Sequence, residues 1–199
     1  MDQLLIVHIM CFSASASFGA GVLLSVIGIA SVKKIENKRM LPFASIPLLF
    51  AAQQITEGFL WLSLQHAEYA FLKNPTTYLF LFFAQVAWPF WVPFSVLLLN
   101  EKAQRKKVQK ILLGIGILVA GHLAYCLFTY PVQGKIMGQH IAYIQDYPVT
   151  LSNYGAFLYV LATIAPPFFS RVKKMWTLGT SILISYIITQ IFYEDHIVS

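Results

Sequence analysis

Residues 102–129 read KAQRKKVQKILLGIGILVAGHLAYCLFT, a basic connection that runs directly into a long apolar stretch. The same alternation recurs along the chain, because all but two of the 14 Lys and Arg residues lie in three short connections between apolar segments. These residues are Lys33, Lys34, Lys38 and Arg39; Lys102, Arg105, Lys106, Lys107 and Lys110; and Arg171, Lys173 and Lys174. The pattern predicts a membrane protein with several spans, whose basic connections face the cytoplasm.

Composition points to the same class of protein. With 58% apolar and 11% charged residues and a mean hydropathy of +0.67, a soluble fold would lack the polar surface to cover its core. The expected partner is therefore the lipid bilayer. The net charge of +6 is explained by basic residues in the cytoplasmic connections. The sequence has no basic stretch with interleaved aromatic residues, so a nucleic-acid partner is not expected. The oligomeric state is left open.

A bilayer span needs about 20 predominantly apolar residues. Six stretches come close to this, and we place the spans at residues 10–31, 41–64, 76–99, 108–129, 153–169 and 175–193. The predicted fold is therefore all-α, a polytopic bundle of transmembrane helices that forms one domain over residues 1–199, with its N-terminus outside. The longest connection, residues 130–152, also lies outside, and is either a lid or a loop in the headgroup layer.

Two kinds of residue at the spans carry structural predictions. Pro89 and Pro93 each remove a backbone donor from the third span, which predicts a kinked helix. Trp61 and other aromatic residues near span ends are typical of the interfacial aromatic belt. The two cysteines, Cys11 and Cys126, lack Cys-x-x-Cys spacing and are predicted to be free thiols, with Cys11 a candidate reactive thiol.

The candidate site is centred on Glu57, the only acidic residue inside a predicted span. An intramembrane carboxyl is a functional candidate because a charge in lipid is costly. Gln53 and Gln54 precede it by four and three positions, so the three side chains share one helical face. Polar side chains at a similar depth on other spans are Gln85, His122, Tyr186 and Gln190. Together they predict an outward-facing pocket for a proton and a small polar solute.

Three functions fit these residues. A carboxyl with a histidine and amides suits a small-solute transporter or sensor, which needs no cofactor. Alternatively, Glu57 and His122, with His140 or His196, ligate zinc in a membrane-embedded lipid hydrolase. No His-x-x-x-His or Glu-x-x-His spacing supports such a metal site. In the third reading Glu57 is hydrogen-bonded to Gln85 or His122 in a structural or interaction subunit of a membrane complex. We favour transport or sensing over catalysis.

The run Met10-Cys11-Phe12-Ser13-Ala14-Ser15-Ala16-Ser17-Phe18 and the segment 47–58, PLLFAAQQITEG, resemble an uncharacterised bacterial family of multi-pass membrane proteins that open with Met-Cys-Phe-Ser-Ala. The resemblance covers the chain from Met10 onward and carries no assigned activity. It implies a seven-span bundle in the bacterial inner membrane, with relatives that begin at Met10 and continue into another span after Ser199. It also singles out Cys11, Gln53, Gln54 and Glu57 as motif positions.

Overall fold

A computed structural model of the protein describes residues 13–99, 103–138, 140–147, 152–170 and 173–194. Most of this part is helical, as predicted. The α-helices are α1 Ala14–Lys33, α2 Leu41–Ala44, α3 Ile46–Gln65, α4 Lys73–Leu81, α5 Trp88–Leu99, α6 Ala103–Thr129, α7 Ser152–Phe168 and α8 Lys173–Glu194. Three helical segments of the described chain are long and apolar enough to cross a membrane, namely Ala14–Lys33, Ala67–Leu99 and Lys106–Thr129. The predicted helical fold class is confirmed.

The second and third predicted spans contain irregular turns. Ser45 separates α2 from α3, and its carbonyl accepts the amide hydrogens of Leu48 and Leu49 at 2.9 and 3.1 Å. Pro47 fits the first turn of α3 because a first-turn amide has no partner within its helix. In the third span, a π-helical turn over Phe82–Ala87 joins α4 to α5. This turn ends two residues before Pro89, and a kink at the two prolines stays a prediction.

The described residues divide into two compact units. The first contains α1, α3, α4 and the segment from Leu127 to Tyr147. In this unit the buried residues of α1 are all small, and three of its larger side chains, Val22, Leu23 and Val26, are more than half exposed. Gly21 and Gly28 lie so close to α3 that a Cβ would come within 2.7 Å of Ile55 and 2.6 Å of Leu48. Small residues let the two helix backbones approach closely.

The second unit contains α2, α5, α7, α8 and α6 as far as Cys126. Here α6 approaches α5 at Gly116, where a Cβ would meet the Pro89 carbonyl oxygen at 1.9 Å. This carbonyl would ordinarily accept from the amide four residues later, but that residue is Pro93, which has no N–H. Nearer the start of α6, the fully buried Gln109 donates from Nε2 to the Pro166 carbonyl of α7 at 2.9 Å.

The connection after α6 contains a two-stranded antiparallel hairpin, an element that the sequence analysis did not assign. Strand β1, Val132–Met137, pairs with β2, His140–Gln145, and Met137 faces His140 across the turn. Gly138 in this turn has φ +61°, a left-handed conformation that glycine adopts without strain. The hairpin packs against α3 and α4 within the first unit.

Candidate functional site

Glu57 lies on α3, half-buried, and its side chain is hydrogen-bonded. The Gln54 amide donates from Nε2 to Glu57 Oε2 at 3.0 Å. Gln53, one turn before Glu57, is buried with 9% of its surface exposed. Three of the predicted site residues therefore share one helix, and the structure brings the carboxylate and one of the two amides into direct contact.

Trp61 follows Glu57 by one helical turn and is almost fully buried, with 3% of its surface exposed. It packs with Leu60 of α3 and Ile141 of β2 in one apolar cluster. Its indole Nε1 is buried, and no hydrogen-bond partner for it exists in the part of the chain that the structure describes. A buried N–H in this condition costs roughly 1–3 kcal/mol of stability.

Tyr143 of β2 reaches the same cluster from the hairpin side. It packs against the cluster of Leu60, Trp61 and Ile141. Its ring stacks on Phe80 of α4, with ring centroids 5.0 Å apart and planes inclined by 3°. Gly134 is the residue directly opposite Tyr143 in the hairpin, and a Cβ there would lie 3.1 Å from the Thr77 hydroxyl. A Cβ at position 134 would therefore require the Thr77 hydroxyl or the hairpin to shift by a few tenths of an ångström.

The Tyr143 hydroxyl is the second buried polar group at this place without a hydrogen-bond partner among the described residues. Burial raises the pKa of Tyr143 above its ordinary value, and the negative charge of Glu57 raises it further. The phenol is therefore within electrostatic reach of the Glu57 carboxylate and remains protonated at neutral pH. We call Glu57, Trp61 and Tyr143 the Glu57 cluster.

The remaining predicted site residues lie elsewhere in the chain. Gln85 is half-buried in the π-helical turn, and His122 is exposed on α6 with its Nε2 3.7 Å from the Cys126 sulfur. Both belong to the second compact unit. The side chains of Tyr186 and Gln190 on α8, and the whole of Cys11, fall outside the described residues. The grouping of these residues with Glu57 stays a prediction.

Metal binding stays a hypothesis as well. Within the described ranges, no group of three His, Cys, Asp or Glu side chains is placed to hold a metal ion. The free thiol of Cys126 is buried and its described contact is with His122 on the same helix, four residues away. This pair was not foreseen, although the spacing of four places both residues on one helical face.

Sequence reasoning missed two of the three members of the Glu57 cluster. It assigned Trp61 to the interfacial belt, although its spacing of four from Glu57 puts the two side chains on the same face of α3. It named residues 130–152 only as a lid or a loop, because the alternating burial along β1, from Val132 to Gly134, is visible only in the folded chain. That period of two indicates a strand with one face on the protein.

Comparison with known proteins gives one match. No curated protein and no solved structure matches the chain. A model of a family of unknown function, DUF6629, matches residues 10–199, and the chain therefore belongs to this family.

Proposed function

We propose that this protein binds a small polar solute at the Glu57 cluster, and that it acts as a transporter or sensor in the bacterial inner membrane. The observation that carries the proposal is the meeting, beside a carboxylate inside a predicted span, of two buried polar groups without partners in the described chain, Trp61 Nε1 and Tyr143 OH. Buried polar groups in folded proteins are nearly always hydrogen-bonded, so two exceptions at one place require a reason.

The free-energy cost of the two groups supports a binding role. Each costs roughly 1–3 kcal/mol when it is left without a partner. Phenylalanine at either position would keep an aromatic ring and remove the polar atom. Retaining both polar atoms is therefore unfavourable for folding alone, and a ligand that accepts their hydrogen bonds would recover the cost.

The chemistry of the cluster defines the solute. The indole N–H of Trp61 only donates, the Tyr143 hydroxyl donates and accepts, and the Glu57 carboxylate accepts hydrogen bonds or pairs with a cation. A ligand that satisfies all three carries an acceptor oxygen next to an amino or ammonium group, as amino acids and small amino alcohols do. The aromatic faces of Trp61, Tyr143 and Phe80 suit an ammonium group.

The hairpin supplies a cover for such a site. Its inward face, which includes Val132, Gly134 and Tyr143, packs on α3 and α4, and its opposite face is exposed. Two strands joined by a short turn are marginally stable alone, so their attachment depends on these contacts. We propose that solute enters when the hairpin moves away from the helices.

Ligand-induced stabilisation of the purified full chain tests the proposal. The melting temperature would be measured in neutral detergent with each of a panel of amino acids, amino alcohols and polyols. At least one amino-group compound is expected to raise the melting temperature of the wild type and of Glu68→Gln, an exposed acidic residue, but not that of Glu57→Gln. Uptake of the same compound into proteoliposomes then separates a transporter from a sensor.

Two results would contradict the proposed function. If compounds that stabilise the wild type stabilise Glu57→Gln to the same extent, Glu57 takes no part in their binding. If no compound of the panel acts, while a membrane protein partner co-purifies in a fixed ratio with both wild type and Glu57→Gln, the interaction-subunit reading replaces the proposal.

A further inference from the structure

A second candidate site lies in the other compact unit, in a cavity of about 330 Å³. Its lining combines three cations with two apolar side chains: Arg39, Lys106, Lys110, Leu97 and Leu98. The volume is at the lower end of the range for small-molecule sites. No carboxylate is among the described residues that line it. The three cations described in the lining favour an anionic ligand.

The cations come from two of the basic connections that the sequence places in the cytoplasm. Arg39 belongs to the first connection, and Lys106 and Lys110 belong to the second. Lys106 and Lys110 are four residues apart and share one face of α6, where like charges repel each other. A bound anion would relieve this repulsion.

The elements around the cavity are held in place by contacts outside it. The Asn37 side chain accepts the amide hydrogen of Arg39 at 3.0 Å, and the Trp91 indole donates to the Pro42 carbonyl at 2.9 Å, which fixes the segment containing Arg39 to α5. The close approach of Gly116 to Pro89 and the Gln109 hydrogen bond to Pro166 fix α6. The backbone segments that carry the three cations are therefore held in place by contacts outside the cavity.

We infer that this cavity binds the phosphoryl group of an anionic phospholipid. Arginine and lysine donate charge-assisted hydrogen bonds to phosphoryl oxygens, and the two leucines at the end of α5 offer an apolar surface for the start of an acyl chain. Basic pockets between helices at the cytoplasmic side of a membrane are typical of acidic lipid headgroups. Free phosphate has the same phosphoryl oxygens as the headgroup, but it has no apolar part that could pack against the two leucines.

The experiment is a lipid titration followed by native mass spectrometry. Delipidated full-length protein in neutral detergent is titrated with dioleoylphosphatidylglycerol, and in parallel with dioleoylphosphatidylcholine and with inorganic phosphate. The cavity variant is Arg39→Gln/Lys106→Gln/Lys110→Gln. The control is Lys33→Gln/Lys34→Gln/Lys107→Gln, which removes the same charge from exposed positions outside the cavity lining.

Phosphatidylglycerol is expected to bind the wild type and the control with similar affinity and the cavity variant roughly 100-fold more weakly. Each cation near a membrane surface contributes about a fivefold increase in affinity, and the variant removes all three. Equal loss in the control, or equal binding of phosphatidylcholine, would overturn the inference. Phosphate that binds while phosphatidylglycerol does not would overturn the lipid assignment. Should the triple variant fail to fold, Lys110→Gln alone is expected to weaken binding roughly fivefold, and an unchanged affinity would reject the site.

Discussion

Trp61 and Tyr143 of the first compact unit have counterparts in the second, and the two pairs differ in their hydrogen bonds. Trp91 donates to the Pro42 carbonyl at 2.9 Å, and Tyr159 donates to the carbonyl of Ala84 in the π-helical turn. The polar atoms of Trp61 and Tyr143 are buried and have no such partner in the described chain. The fold therefore supplies partners for Trp91 and Tyr159, whereas Trp61 and Tyr143 lack them near Glu57. The side-chain oxygen of Gln109, in the second unit, is a further buried polar atom without a partner in the described chain.

The second unit, in which Trp91 and Tyr159 are hydrogen-bonded, also contains a closer contact between helices than the first unit does. In the first unit, Gly21 of α1 faces the Ile55 side chain, which can adopt another rotamer, while Gly28 faces the Leu48 side chain and, at 3.0 Å, the Leu48 backbone nitrogen. In the second, Gly116 faces the Pro89 carbonyl, which belongs to the backbone and cannot move alone. A methyl group at position 116 must therefore separate α5 from α6, whereas one at position 21 can be accommodated in part.

The largest effect is expected from Gly116→Ala. Because its Cβ would lie 1.9 Å from the Pro89 carbonyl oxygen, we expect a loss of about 3 kcal/mol or more, as for severe overpacking. Gly114→Ala on the same helix meets no atom within 4 Å and should be neutral or stabilising by up to about 1 kcal/mol. Thermal unfolding in detergent measures both. Equal melting temperatures would show that α6 does not approach α5 at Gly116.

The next largest effect concerns the attachment of the hairpin. Gly134→Val would place a branched side chain where even a Cβ comes 3.1 Å from the Thr77 hydroxyl. We expect the hairpin to leave α4, with faster amide hydrogen exchange over residues 132–145 and weaker solute binding. Gln133→Val, on the exposed face of β1, is the control and should keep the wild-type exchange rates. Slow exchange in both variants would contradict the described packing.

The helices and the hairpin differ in how far the sequence could predict them. Spans such as 108–129 can be predicted from sequence, because a run of about 20 apolar residues is typical of a transmembrane helix. The observed helix α6 begins only a few residues earlier. The hairpin has two six-residue strands, and its sequence mixes Lys135, Gln133 and His140 with apolar residues. Short strands of this kind depend on tertiary contacts, which no local pattern records.

The candidate site was predictable in part for a related reason. Glu57, Gln53 and Gln54 follow from one helix, because spacings of three and four residues place side chains on a shared face. Tyr143 is far away in sequence and enters the site only through the register of the hairpin, which pairs it with Gly134. Depth in the bilayer, the criterion that selected His122 and Gln85, gives no information on which helices are neighbours.

Replacement of Trp61 and of Trp91 by phenylalanine is expected to affect stability to different extents. Trp91→Phe removes the donor of the hydrogen bond to Pro42 and is expected to cost roughly 1–3 kcal/mol beyond the loss of packing. Trp61→Phe loses packing but no described hydrogen bond, so its cost should be smaller. Thermal unfolding of the two variants measures the difference. A larger loss for Trp61→Phe would mean that its indole has a partner in the folded protein.

A smaller effect is expected in the pH dependence of stability. Because the pKa of Tyr143 is raised in the folded protein, its contribution is fully present below its unfolded pKa of about 10 and is lost progressively above it. Between about pH 10 and 11, the wild type should lose more stability than Tyr143→Phe, and the difference between the two isolates this residue from the other tyrosines. Parallel curves would contradict a buried phenol beside Glu57.

Removal of a single hydroxyl, at Tyr143 or at Tyr159, tests whether the Glu57 cluster binds solute. Stability and solute binding would be measured for both variants. Tyr143→Phe is expected to raise the melting temperature of the ligand-free protein, because a buried polar atom without a partner is removed, and to abolish stabilisation by the solute. Tyr159→Phe should lower the melting temperature, because it breaks a hydrogen bond, and should leave solute stabilisation intact. If Tyr143→Phe instead destabilises the protein and binds the solute like the wild type, the Glu57 cluster is not a solute site.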